Sequence, residues 1–148
     1  MEPAAKLAVL AAGVFFLNAL ICGIWKYDQI RKSADALAHP YVDIAHRASL
    51  LYSFAALLIS RFVELSDLSE GVELVATALP LLFFGLAIFN YMLHGALRDT
   101  DNVFAAIREG GAGGSSQTAV AVFMAALIFA EVGGFLVLFW GFARAQLL

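Results

Sequence analysis

Residues 7–25 read LAVLAAGVFFLNALICGIW, an apolar run interrupted only by Asn18. About 20 such residues, rising about 1.5 Å each as a helix, cross the roughly 30 Å of hydrocarbon in a bilayer. The run is longer than the apolar core of a secretory signal, and no A-x-A-like site follows it. It therefore reads as a retained helix. Trp25, Lys26 and Tyr27 close it with the aromatic and basic residues that favour a membrane interface. Residues 41–62, 70–97 and 118–143 form three further spans of membrane-crossing length. The expected fold is an all-α, integral membrane four-helix bundle with short loops.

The composition agrees with that reading. Of 148 residues, 62% are hydrophobic and 14% charged, and the mean hydropathy is +0.85. Soluble domains are nearer half apolar and a quarter charged. Four spans and their connections consume nearly the whole chain, so a single transmembrane domain over residues 1–148 is expected, with the lipid bilayer as its surroundings. The net charge of −3 says nothing about nucleic acid, and with no basic tract present no nucleic-acid partner is expected. The lone Cys22 excludes an internal disulfide and a CxxC metal motif. No G-x-S-x-G, H-E-x-x-H or phosphate-binding glycine motif is present.

Between the spans, residues 26–39 are polar and periodic enough for a surface helix. Pro40 suits the first position of span two. That span has an uninterrupted apolar stretch only over 54–59, so it is expected to be the helix most enclosed by protein. Asp67 and Glu70 fit an N-cap and its N3 partner for span three. Pro80 predicts a kink near Ala76. Residues 99–102, DTDN, lack the glycine and terminal glutamate of a calcium loop and read as a helix C-terminal turn. A short helical piece over 103–107 leads to residues 110–116, which have the composition of a flexible linker. Lys26, Arg31, Lys32, Arg47, Arg98 and Arg108 flank one side of the membrane, against Lys6, Arg61 and Arg144 on the other. That bias predicts both termini on the outer side and the opposite end in the cytoplasm, in a bacterial inner (plasma) membrane.

The three histidines gather at that cytoplasmic end. His39 and His46 open span two and His94 closes span three, and antiparallel neighbours bring such positions to one leaflet. Ionisable groups inside a membrane are functional-site candidates by default. His39, Asp43 and His46 are spaced i, i+4, i+7, one helix face, and imidazole with carboxylate suits non-haem iron or zinc. Histidine also ligates haem iron. The alternative for His39 is a helix cap. Asn90 and His94 form a second stripe, and Asn18, Cys22 and Trp25 a third, with Asn18 and Asn90 roughly 10 Å inside the boundary. Ser49, Tyr52 and Ser53 lie at similar depth. Interhelical hydrogen bonding accounts for the asparagines and serines, but less well for histidines and tyrosines at one end. Glu131 is the acidic residue well inside a span. A structural pair with Arg61 is expected for it, and a proton relay is the alternative. Gly133 and Gly134 beside it allow close helix approach or room for a flat ligand. Phe83, Phe84, Phe123, Phe135 and Phe139 are expected to meet lipid or a second copy.

Ala45-His46, then Ala48 and Ser49, then Tyr52 six residues after the histidine, resemble the second helix of the styrene oxide isomerase family. Asn90-Tyr91 and Asp101-Asn102-Val103-Phe104 stand where that family has an Asn and a Tyr, and a Pro-Asn-Gln-Phe stretch. The chain departs at Tyr52, where the family has asparagine, and lacks its Gly-Pro after the histidine. The resemblance implies a small four-helix membrane protein holding haem b, with His46 as axial ligand; Asn18 and His94, polar residues toward the same end, are the further candidate cofactor-binding residues. Tyr52, Tyr91 and Asn90 would carry the chemistry on a small lipophilic, epoxide-like substrate, in a homo-oligomer, a trimer. Ala45-His46-Arg47-Ala48 also resembles the second-helix start of the membrane-associated eicosanoid and glutathione metabolism proteins. The Asn and Glu that follow there, and their arginine-rich glutathione cradle, are missing. Two further readings stand beside these. One is a b-type electron-transfer protein using His46 and His94, and the other is a non-enzymatic scaffold or accessory subunit.

Overall fold

A computed structural model of the chain describes residues 2–108 and 117–148. The linker-like residues 110–116 lie outside the described residues. Helix α1 runs Pro3–Lys32. Pro3 sits in the first turn, where a missing N–H costs nothing, and Arg31 and Lys32 meet the carbonyl end. The helix does not stop at Trp25. Residues 26–32 continue it, supported by Lys32 Nζ on Asp28 Oδ2 at 2.6 Å, an i, i+4 pair, so no separate surface helix forms there. The chain turns at Ala36, whose φ is 56°. Leu37 N–H donates to Ser33 Oγ at 2.9 Å and Asp35 Oδ1 at 3.2 Å across that turn.

Helix α2 is Pro40–Glu64 and α3 is Glu70–Leu97. The residue that caps α3 is Ser69, not Asp67. Asp67 lies outside the first turn and is taken by the far end of the chain, with Arg144 Nε 3.0 and 3.1 Å from its two carboxylate oxygens. Helix α3 ends at Arg98 in the left-handed conformation, φ 51°. After α4, Val103–Arg108, the fourth span comes in three pieces: α5 Gln117–Ile128, a π-helical turn Phe129–Gly133, and α6 Gly134–Gln146. All regular structure among the described residues is helical, and four helices are long and apolar enough to cross a membrane. Their outward side chains are apolar, with Ile24 71% and Phe129 79% exposed beside Leu10, Leu51, Phe54 and Phe89. A soluble monomer rarely carries so continuous an apolar surface. The molecule is an integral membrane four-helix bundle.

Small residues set the packing. Ala4, Ala5, Ala8, Ala12 and Ala19 form the buried stripe of α1 and let it lie close along α2, its most extensive neighbour. Ala56, Ile59, Val63, Leu81, Phe84 and Leu138 fill the core with the first part of that stripe. Helix α3 is central, touching α1, α2, α6 and the π turn. In its most apolar stretch 39% of residues are buried, against 33% in α2. Over the whole helix, nine of 25 residues are buried in α2 and nine of 28 in α3, so the polar α2 is as enclosed as the central α3 although Leu51, Phe54 and Leu58 on its outer face stay open to lipid. Pro80 leaves the Ala76 carbonyl without its helical partner. Gly134 packs there: a Cβ at 134 would lie 2.6 Å from that carbonyl oxygen. The phenylalanines expected at lipid also serve the chain itself. Phe84 stacks on Tyr52, Phe83 meets Phe123, and Phe135 and Phe139 surround Phe62.

Candidate functional site

His46 faces α1. Its Nδ1 is 2.8 Å from the Ala19 carbonyl oxygen, an acceptor, so Nδ1 carries the proton of the neutral ring. Nε2 then presents its lone pair and has no hydrogen-bond partner among the described residues. Gly23 makes room for this. A Cβ there would stand 3.1 Å from His46 Cε1, so the imidazole lies against bare backbone. Asp43 is spent elsewhere, on Lys26 of α1 and on Arg47 at 2.8 Å. Asn18 is also occupied: its amide donates to Ser49 Oγ at 2.9 Å, tying α1 to α2, and contacts Cys22 Sγ at 3.7 Å.

The other two histidines gather around Tyr41, which sequence reasoning missed. His39 caps α2, its Nδ1 accepting from Tyr41 N–H at 3.3 Å, while its Nε2 meets Asp101 at 3.2 Å. His94 Nδ1 meets Asp99 at 2.8 Å. That hydrogen bond holds the Asp99 carboxyl below the usual carboxylate range. Tyr41 packs against His94, with ring centroids 5.3 Å apart, and stacks on His39 and Tyr91. Its hydroxyl accepts from Val103 N–H at 2.8 Å. So the acidic turn after α3 serves the histidines. The signal was the pair of aspartates just beyond the end of a helix that carries a histidine in its last turn.

These positions correct several expectations. His39, Asp43 and His46 share a helix face but each has different partners, and no group of three metal-ligating side chains forms among the described residues. His46 engages α1 while His94 engages Tyr41 and Asp99, so the two histidines sit in different surroundings. Asn90 is exposed on the outside of α3, whereas Tyr91 turns inward onto Tyr41. The expected Glu131–Arg61 pair is absent. Arg61 points outward and binds Glu64 at 2.9 Å, one turn along its own helix, which leaves Glu131 Oε1 buried without a hydrogen-bond partner among the described residues. Glu131 instead lies in the π turn Phe129–Gly133. Tyr52 is held flat against Phe84, centroids 4.2 Å apart. No protein-family model matches the chain, and no curated protein or solved structure matches it significantly.

Proposed function

We propose that the chain is a membrane protein that binds haem b through His46 and acts, as an isomerase or lyase, on a small lipophilic epoxide-like molecule. The observation that carries this reading is the imidazole of His46, with Nδ1 on a backbone carbonyl and Nε2 without a hydrogen-bond partner among the described residues. A histidine ligand characteristically gives its second ring N–H to such an acceptor, which fixes the tautomer and raises the basicity of the ligating nitrogen. Gly23 adds to the fit, since any side chain there would press on the ring. When bound, haem would supply a Lewis-acidic iron. Ala19 holds the orientation of the His46 ring, and by the family resemblance Tyr52, which stacks on Phe84, and Tyr91, which stacks on Tyr41, would carry the chemistry. The epoxide-like substrate and the trimeric assembly rest on the family resemblance alone.

A second reading is a non-enzymatic scaffold or accessory subunit. It is favoured by the protein partners that Asn18, His39, Asp43 and His94 already have. The absorption spectrum of protein purified in mild detergent, after expression with ample haem supply, separates the two. The haem reading expects a Soret band near one haem per chain. A colourless protein leaves the scaffold.

A further inference from the structure

We propose that His39 is a pH-sensitive helix cap: the neutral ring ties the start of α2 to the turn after α3, and protonation releases that start. This does not depend on whether haem is bound. Nδ1 of His39 accepts from the Tyr41 N–H at 3.3 Å, so that nitrogen holds a lone pair. Nε2 stands 3.2 Å from Asp101 Oδ1, so it holds the proton. The neutral tautomer protonated at Nε2 satisfies both contacts, and no other state of the ring does. The residue is also fixed from a third side, since its backbone N–H donates to Gln29 Oε1 of α1 at 2.9 Å. A second proton has one nitrogen left to take, Nδ1. There it meets the Tyr41 N–H, donor against donor, and the first turn of α2 loses its side-chain acceptor. Imidazole is the side chain whose ordinary charge change falls between about pH 5 and 8.

The release reaches further than one bond because Tyr41 is held at two points. Its N–H is the capped group, and its buried side chain carries the hydroxyl that accepts from Val103 N–H at 2.8 Å. The first turn of α2 and the start of α4 therefore share this residue. Around it, α1 brings the neutral Gln29, and Lys26, which Asp43 of α2 holds together with Arg47. Helix α3 brings Tyr91 and His94, both against the Tyr41 ring. The turn brings Asp99 and Asp101, with Arg98 exposed beside them. His94 keeps its Nδ1 bond to Asp99 in either charge state, so it does not oppose the release. Attraction of a cationic His39 to Asp101 does oppose it. Asp101 is 78% exposed, however, and so exposed an ion pair contributes little. The His39 side chain is only 12% exposed, so the two donors meet with little water to separate them.

Amide hydrogen exchange and nitrogen NMR of the histidines, on the full chain in phosphatidylcholine nanodiscs from about pH 8 to about pH 5, test this. At the alkaline end His39 should show a neutral ring protonated at Nε2. Towards acid, the Tyr41 and Val103 amides should lose protection by an order of magnitude or more, after correction for intrinsic exchange, while Ala56 in the middle of α2 keeps its own. Asparagine caps a helix without titrating in this range, so His39→Asn should hold the Tyr41 amide protected throughout. A neutral His39 ring protonated at Nδ1, or Tyr41 protection in the parent chain that does not change with pH, overturns the proposal. The same acid loss of protection in His39→Asn assigns the response to another group and overturns it too.

Discussion

A single hydrogen bond, from His46 Nδ1 to the Ala19 carbonyl, determines which nitrogen this histidine can offer a ligand. The partner is a backbone atom 27 residues away, so no pattern of side chains in the sequence reports it. By contrast, the capping role of His39 was legible as the alternative to a ligand role, because the histidine directly precedes a proline at the first helical position. The aspartates at 99 and 101 were visible as acids past a helix end, but their assignment to His94 and His39 needed the turn geometry. The Asp99 contact carries a testable pH dependence. The carboxyl of Asp99 is lowered by its hydrogen bond to His94, so the contact contributes stability above the unfolded carboxylate pKa and loses it as pH falls through the folded value. Thermal unfolding followed by circular dichroism across the acid range should show a step that Asp99→Asn removes. A profile identical in the variant contradicts the pairing.

At the scale of the helices, hydropathy made four spans readable because each needs about 20 apolar residues whatever its neighbours do. Irregularity inside a span is a different matter. Phe129–Gly133 reads FAEVG, and nothing in those residues distinguishes a π turn from an ordinary α turn. The same blindness produced the expected Glu131–Arg61 pair, which depth along two helices suggested but side-chain direction forbids. The close approach of Gly134 to the Ala76 carbonyl at Pro80 holds the fourth span against α3 just beyond that turn. Gly134→Ala places a carbon against backbone oxygen and ring atoms that have little freedom to move. It should cost about 1–3 kcal/mol in reversible unfolding. Gly133→Ala, with nothing within 4 Å of its new carbon, is expected to cost only a fraction of that. Equal losses at both positions would contradict the packing described for Gly134.

For the molecule as a whole, the bundle places His39 and His94, with their aspartate partners, at the end opposite to both termini. We propose, from the Lys/Arg bias, that this end faces the cytoplasm. Asp35 is exposed in the turn between α1 and α2, so Asp35→Cys gives a direct readout of orientation. An impermeant thiol reagent should label it in inverted vesicles and not in intact cells, and labelling of intact cells would reverse the orientation. The central claim is that His46 supplies the one protein ligand to haem, and the spectra of His46→Ala and His94→Ala, each purified after expression with ample haem, test it most directly. The expected result is loss of the Soret band in His46→Ala with helical content retained, and an oxidised spectrum in His94→Ala nearly unchanged from the parent. A full complement of haem in His46→Ala, or conversion from low-spin to high-spin iron on loss of His94, would contradict it.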